Sequence, residues 1–311
     1  MNTMPNDSHI SFELFPSKAH LDSGKLYQAI DEIKPHVPKY VSVTFGAGGS
    51  ESYANSLTLI RYLRQQHIDV VPHITCFHLD KQAIFNLLQE YIKLGIDRLV
   101  VVRGDLPQDI QKQTKVSFNY AYQLIDYIRQ ISGEQFDITI AAYPEFYPSS
   151  KTLQEDIDNL KQKINAGTSH AITQYFYSID AFYHFLQMCH DHQITIPITA
   201  GVMLIANYQG LKRFSQICHA DIPQWLDKRL AAYAHDPVAL QDFASDVVAK
   251  LCDDLIDLGV HGLHFYTLNQ MSATNAVIAK SSKLQSILVR QKSQRNQQNP
   301  EPTTITQLVS R

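Results

Sequence analysis

Cysteine is scarce and scattered. The 311 residues contain four, Cys76, Cys189, Cys218 and Cys252, with no Cys-x-x-Cys pair. That excludes a disulfide framework or a zinc knuckle and reads as reduced, mostly buried thiols. Long apolar runs are also missing: no stretch approaches eighteen uninterrupted apolar residues, and Met1 to Ser11 has neither a cationic start nor an apolar core. The expectation is a soluble, cytoplasmic chain with no membrane partner. An excess of one charge is absent too, with 27 basic against 30 acidic residues and a pI near 6.5. Nucleic acid and anionic lipid surfaces are therefore not expected as partners, and small-molecule chemistry is. The run Gly46-Ala47-Gly48-Gly49-Ser50 lacks a Walker lysine and the Gly-x-Gly-x-x-Gly spacing, so it reads as a flexible loop ending in a helix cap at Ser50. Metal sets forced from His73, Cys76 and His78, or from Cys189, His190 and His192, lack a convincing second spacing, so no metal is expected.

What is present is repetition. Eight short β-branched or aromatic runs, at 10–15, 40–45, 70–75, 99–102, 138–142, 171–174, 198–201 and 262–267, alternate with amphipathic stretches. One such stretch carries Leu153, Ile157, Leu160 and Ile164 at spacings that place them on one helical face. Gly95, Gly133, Gly167 and Gly259 each stand just before a strand, where a helix end takes a left-handed residue. Eight strand-helix repeats predict an α/β fold, a closed parallel (β/α)8 TIM barrel. The apolar fraction of 44% suffices for its core. The long seventh-to-eighth connection is expected to hold an extra helix around Pro223 to Tyr233. The barrel is assigned to 10–289, after a short extension at 1–9, and the polar tail 290–311 is expected to be disordered.

Barrel enzymes keep their chemistry at the C-terminal ends of strands. Those ends carry Glu13, Thr44, His73, Arg103 with Asp105, Tyr143 with Glu145, Gln174, and Tyr266 with Asn269. Glu13, between Phe12 and Leu14, should point into the barrel mouth, where burial would raise its pKa and suit it to general acid work. The competing reading is a structural carboxylate paired with Arg103 or Lys39. Arg103-Gly104-Asp105 offers a close backbone approach to a flat ligand, or simply an ion pair. Phe214, flanked by Lys212 and Arg213, reads by itself as an apolar helix anchor.

Taken together, Ser11-Phe12-Glu13-Leu14-Phe15-Pro16, Val41-Ser42-Val43-Thr44, Pro72-His73-Ile74-Thr75-Cys76, Arg103-Gly104-Asp105-Leu106-Pro107, Ala142-Tyr143-Pro144-Glu145, Ala171-Ile172-Thr173-Gln174 and His264-Phe265-Tyr266-Thr267-Leu268-Asn269 resemble the methylenetetrahydrofolate reductases. The resemblance implies an enzyme with noncovalent FAD that takes electrons from NADH or NADPH by a ping-pong mechanism. The product would be 5-methyltetrahydrofolate for methionine synthesis. It implies Glu13 as the acid that protonates a folate nitrogen, and Asp105 as the anion near flavin and pterin. It further implies flavin contacts at Ala47, His73, Arg103, Gly104, Asp105, Tyr120, Ala121 and Tyr143, joined by Asp156, Asn159 and Lys163. Thr44, Asp105, Gln174 and Phe214 would meet folate or nicotinamide. Relatives of this kind are often homo-oligomeric.

Several positions depart from the family pattern. Tyr147 stands in place of a histidine, Gln162 in place of a basic residue, Gly210 and Gln270 in place of a polar and a basic residue, and Ala200-Gly201 in place of Pro-Gly. The departures leave open a nonenzymatic flavin- or folate-binding paralogue. Against an unrelated barrel enzyme stand the lack of a strand lysine for Schiff-base chemistry and of a phosphate loop after strand seven.

Overall fold

The computed structural model describes residues 8–16, 22, 24–45, 50–77, 79–104, 117–145, 150 and 152–298. All eight expected strand segments form strands: β1 (His9–Leu14), β2 (Val41–Val43), β3 (Val70–Thr75), β4 (Arg98–Val102), β5 (Asp137–Ala142), β6 (His170–Thr173), β7 (Ile198–Met203) and β8 (Gly262–Tyr266). Each pairs in parallel with its sequence neighbour, and β8 pairs with β1, closing the barrel. The helices are α1 (Lys25–Ile33), α2 (Ser50–Gln65), α3 (Lys81–Lys93), α4 (Ala121–Ser132), α5 (Leu153–Asn165), α6 (Ile179–Asp191), α7 (Tyr208–Cys218), α8 (Gln224–Ala232), α9 (Pro237–Asp257), α10 (Met271–Lys280) and α11 (Ser282–Gln298). The helix expected near Pro223 is α8, lying between α7 and α9 in the long β7-to-β8 connection.

Local chemistry sets the helix boundaries. Asp80, Thr152, Ser178, Asn207 and Asp236 each accept a hydrogen bond from an amide in the first turn of α3, α5, α6, α7 and α9. Each such cap is worth about 1 kcal/mol. The four glycines expected to end helices have φ of 67°, 55°, 107° and 79°, as a left-handed stop requires.

Strand alternation then divides the barrel wall into two faces. Ile10, Phe12, Leu14, Val41, Val43, Ile74, Leu99, Val101, Ile138 and Ile140 are fully or nearly fully buried in the large apolar cluster beneath the helices. Their neighbours face the barrel axis, where polar groups are frequent: Ser11 and Ser42 both hydrogen-bond the ring of His264, at 2.7 and 3.1 Å. Barrel interiors are usually filled by branched apolar residues. Here a smaller apolar group, Val71, Val100 and Ile172 with Tyr40, shares the axis with these hydroxyls and imidazoles.

The chain after 289 departs from expectation. α11 runs to Gln298 rather than fraying at 290. Leu284, Ile287 and Leu288 bury one side of it. Gln291 Oε1 accepts the Ile10 amide at 2.6 Å, and Gln291 Nε2 donates to the carbonyls of Ile10 and Val37 at 3.3 and 3.1 Å. A polar composition hid this docking because the glutamine amide is satisfied by backbone, not by apolar contact. The remainder of the expected tail, from 299, lies outside the described residues.

Candidate active site

Glu13 turns inward because its neighbours Phe12 and Leu14 are fully buried on the outer face. Thr267 Oγ1 donates to the Glu13 carbonyl at 2.7 Å. Beyond it, the Phe15 amide donates to Asn269 Oδ1 at 3.0 Å and Asn269 Nδ2 returns a bond to the Phe15 carbonyl at 2.7 Å. These bonds tie the exits of β1 and β8 together. They also hold Leu268 and Asn269 at φ of 49° and 59°, a region that a leucine rarely adopts unaided.

The Glu13 carboxyl lies 3.5 Å from His73 Nε2, and the two side chains are only 17% and 13% exposed. Burial pushes the Glu13 carboxyl up to about 8 and holds the His73 imidazole down to about 4. Near neutral pH the proton of the pair therefore resides on the carboxyl group. Of the partners expected for a structural carboxylate, Lys39 precedes β2 and so lies at the opposite end of the barrel. Arg103 directs its Nε to the Asn119 carbonyl at 3.0 Å. Among the described residues, Thr44 Oγ1 and His73 Nε2 are buried at this mouth without a hydrogen-bond partner.

The other expected residues among those described lie at strand ends or on the helices that follow them. Arg103 follows β4 with its guanidinium 5.9 Å from the Phe77 ring and 5.7 Å from the Tyr120 ring, and Tyr120 is half exposed. Gly104 has φ of 77°, and a Cβ there would stand 2.9 Å from Thr75 Cβ, so no larger residue fits without displacing β3. Ala121 is the first residue of α4. On α5, Lys163 is half-buried, donates to the Ala141 carbonyl at 2.6 Å and lies 5.8 Å from the Tyr143 ring centre. Burial lowers its pKa to about 8 against the opposing pull of Asp156. Tyr143, Asp156 and Lys163 line a small cavity between β5 and α5, while Asn159 is half-buried on the same helix. Gln174 is half-buried at the exit of β6, its Oε1 accepting the Tyr175 amide at 3.0 Å. Phe214 is half-buried on α7, with Arg213 packed over its ring. Ala47, Asp105, His78 and Tyr147 lie outside the described residues.

Two features were not assigned a role from sequence. Tyr266, paired in register with Glu13, sends its hydroxyl to the Thr173 carbonyl at 2.7 Å. This crossing needs Gly201, where a Cβ would meet Thr173 O at 2.1 Å and the Tyr266 ring at 2.7 Å. Glu145 is pushed up to about 6 by burial, offset by the Asp221 amide that donates to it at 2.8 Å. The two-residue spacing of His264 and Tyr266 was the available signal for the first. For Glu145 only the fold shows that Asp221, 76 residues away, is its partner.

Comparison with known proteins follows the same outline. A sequence model described as methylenetetrahydrofolate reductase matches residues 2–282. A Pectobacterium carotovorum subsp. carotovorum protein named 5,10-methylenetetrahydrofolate reductase is 30% identical over 269 residues, covering 86% of this chain and 88% of its own. A namesake from Buchnera aphidicola subsp. Acyrthosiphon pisum is 32% identical over 277 residues, covering 89% and 93%. Among solved structures, an uncharacterized Clostridium thermocellum protein that binds two copies of 5-methyl-5,6,7,8-tetrahydrofolic acid superposes with a TM-score of 0.61 at 16% identity, over 90% of this chain and 96% of its own. That likeness shows the shared fold. No described helix is long and apolar enough to cross a membrane.

Proposed function

We propose, from the premise that this chain belongs to the methylenetetrahydrofolate reductase family of enzymes, the following reaction. The protein reduces 5,10-methylenetetrahydrofolate to 5-methyltetrahydrofolate in the cytoplasm, with NADH or NADPH as electron donor, for methionine synthesis. A noncovalent FAD, when bound, supplies two-electron transfer between the nicotinamide and the folate in a ping-pong sequence. The mouth suits such a flat, polar group: Thr44 Oγ1 and His73 Nε2 offer buried polar atoms that have no hydrogen-bond partner among the described residues, and Arg103 stands at the exit of β4. Arg103, Tyr120 and Ala121 would flank one part of it. Tyr143, Asp156, Asn159 and Lys163 would address its polar chain from α5.

The observation that carries this reading is the buried carboxyl of Glu13 at the barrel mouth, 3.5 Å from His73 Nε2, where burial pushes its pKa up to about 8. Opening the methylene bridge breaks one carbon-nitrogen bond, and the departing nitrogen needs a proton. Glu13 holds one at neutral pH because water does not reach it well enough to stabilise its anion. His73, kept neutral beside it, does not compete for that proton. The remaining nitrogen and the bridge carbon then form an iminium, which accepts hydride to become the methyl group. Asp105, by family resemblance, stabilises that cation. Gln174 and Phe214 orient the pterin and then, in the other half-reaction, the nicotinamide, with Thr44 beside it.

The test separates the two half-reactions by flavin absorbance in stopped flow. Glu13→Gln preserves shape and removes the acid, so reduction of FAD by NADH stays near normal. Reoxidation by methylenetetrahydrofolate slows by at least about 100-fold, as expected for loss of a positioned general acid. If both half-reactions survive, Glu13 is not the acid, and if both fail its role is structural. Asp105→Asn is expected to slow the folate step more than the nicotinamide step, since only the former passes through a cation. Colourless protein that cannot be reconstituted with FAD overturns the reading.

A further inference from the structure

A second cavity, of about 660 Å³, opens at the end of the barrel opposite Glu13. Its walls are the first residues of the strands: His9 on β1, Arg98 on β4, Asp137 on β5, His170 on β6, and Tyr40 and His261 just before β2 and β8. α11 covers one side with Arg290, Gln294 and Gln297. This end of a barrel ordinarily serves stability and is closed by packed side chains. Here it is an open polar chamber of the size that holds small molecules.

Its charge is one-sided. Lys39, Arg98 and Arg290 line it against a single lining carboxylate, Asp137. Asp137 is already engaged, 3.4 Å from His170 Nδ1, and its hydrogen bonds and positive neighbours hold it down to about 2. Arg98 is held over the Tyr40 ring at 5.1 Å with its Nε 3.8 Å from the exposed Asp97 carboxylate, and Arg290 donates to the Ser8 carbonyl. Lys39 is exposed and has no carboxylate within ion-pair distance among the described residues. The His9 ring meets His261 edge-on at 5.1 Å, and its Nε2 is buried without a hydrogen-bond partner among the described residues. Burial, then His261, Lys39 and Arg98, keep that imidazole neutral, with its pKa lowered to about 3. Three cations against Asp137 in the lining and Asp97 at its edge leave a positive excess around the chamber, which an anion between the cations would offset.

We propose that this cavity binds a phosphorylated small molecule carrying two or more negative charges. The three cations come from the β1-to-β2 connection, β4 and α11, so they approach from different directions. Such a set matches the several oxygens of a phosphoryl group better than the single planar fork of a carboxylate. Thr139, Thr199 and the α11 glutamines add neutral partners for the rest of the molecule.

The test is calorimetric titration of the FAD-saturated protein with inorganic pyrophosphate, with citrate as a carboxylate of similar charge. Saturating FAD fills the opposite mouth, so added pyrophosphate reports on the remaining sites. Pyrophosphate is expected to bind at one site with Kd below about 1 mM, and citrate at least about tenfold more weakly. Lys39→Glu and, separately, Arg98→Gln are expected to weaken pyrophosphate binding by about tenfold or more, the loss of one charge-assisted contact. A ligand-free melting temperature in Lys39→Glu at or above that of the parent shows that the fold is intact. Absence of saturable binding, citrate binding as tight as pyrophosphate, or affinity unchanged in both variants overturns the proposal. Because Lys39 and Arg98 are remote from Glu13, these outcomes are independent of the folate chemistry.

Discussion

Glu13 keeps its proton because the barrel wall denies its anion solvation, and that has a measurable consequence for stability. Its folded pKa of about 8 lies above the ordinary 4.5, so the unfolded chain releases the proton first as pH rises. Stability from this group is fully present below about pH 4.5 and is lost progressively as pH rises to about 8. His73, lowered from 6.5 to about 4, works in the opposite sense: its contribution is present above 6.5 and lost as pH falls through 4. His9 and His264, each lowered to about 3 with burial the largest cause, behave like His73. Between 6.5 and 8 the histidines contribute little, and Lys163, lowered to about 8, opposes Glu13 only at the alkaline end, so the difference between the parent and Glu13→Gln isolates Glu13. In Glu13→Gln, melting temperatures measured across that window are expected to rise relative to the parent at the alkaline end, with the slope due to Glu13 removed. A parent slope that persists in the variant assigns the pH dependence elsewhere. The same titration predicts that folate-dependent flavin reoxidation declines as pH rises through about 8.

At the scale of elements, α5 and α11 show how a polar helix face is committed by what it meets. Asp156, Asn159 and Lys163 share a face by spacing alone, which fits equally well with solvent or a ligand. Lys163 is drawn inward, to the Ala141 carbonyl and under Tyr143, so its ammonium lies at the C-terminal end of β5. Lys163→Gln is expected to weaken FAD binding about tenfold, the effect of one charge-assisted contact, measured by flavin fluorescence on dilution. Unchanged affinity would confine Lys163 to packing. Gln291 on α11 bonds the backbone of both the β1 strand and Val37 from a buried position. Gln291→Ala strands those groups and is expected to cost roughly 2 to 3 kcal/mol by chemical denaturation. A loss below about 0.5 kcal/mol would mean that water replaces the amide.

For the whole molecule, the closed barrel sets the Glu13 mouth and the cationic cavity at opposite ends of one axis. The ring of His264, held between Ser11 and Ser42 and stacked 5.8 Å from Tyr40, stands between the Glu13 mouth and the cationic cavity. A ligand that binds only the folded barrel raises its stability by mass action. FAD at about 100 times its Kd is expected to add about 2.7 kcal/mol, a rise of several degrees in melting temperature. No shift on adding FAD to stripped protein would contradict a flavin site. The departures at Gln162 and Gly210 fall on α5 and α7, away from the Glu13 and His73 pair.

By itself the sequence determined the order and type of the elements. Alternation, helical spacing and glycine stops are short-range signals, and each is enforced by backbone sterics and local burial within a few residues. The inward direction of Glu13 was legible for the same reason, since Phe12 and Leu14 claim the opposite face. Only the tertiary structure decided which distant groups meet: His73 beside Glu13, Asp221 on Glu145, Tyr266 reaching Thr173 over Gly201, and Gln291 pairing with Ile10. Those contacts join residues 60 to 281 positions apart, and they exist only because eight strands close into a ring. The cationic cavity is the clearest case: Lys39, Arg98 and Arg290 stand in three unrelated segments, each an ordinary surface charge until barrel closure and the docking of α11 bring them to one chamber.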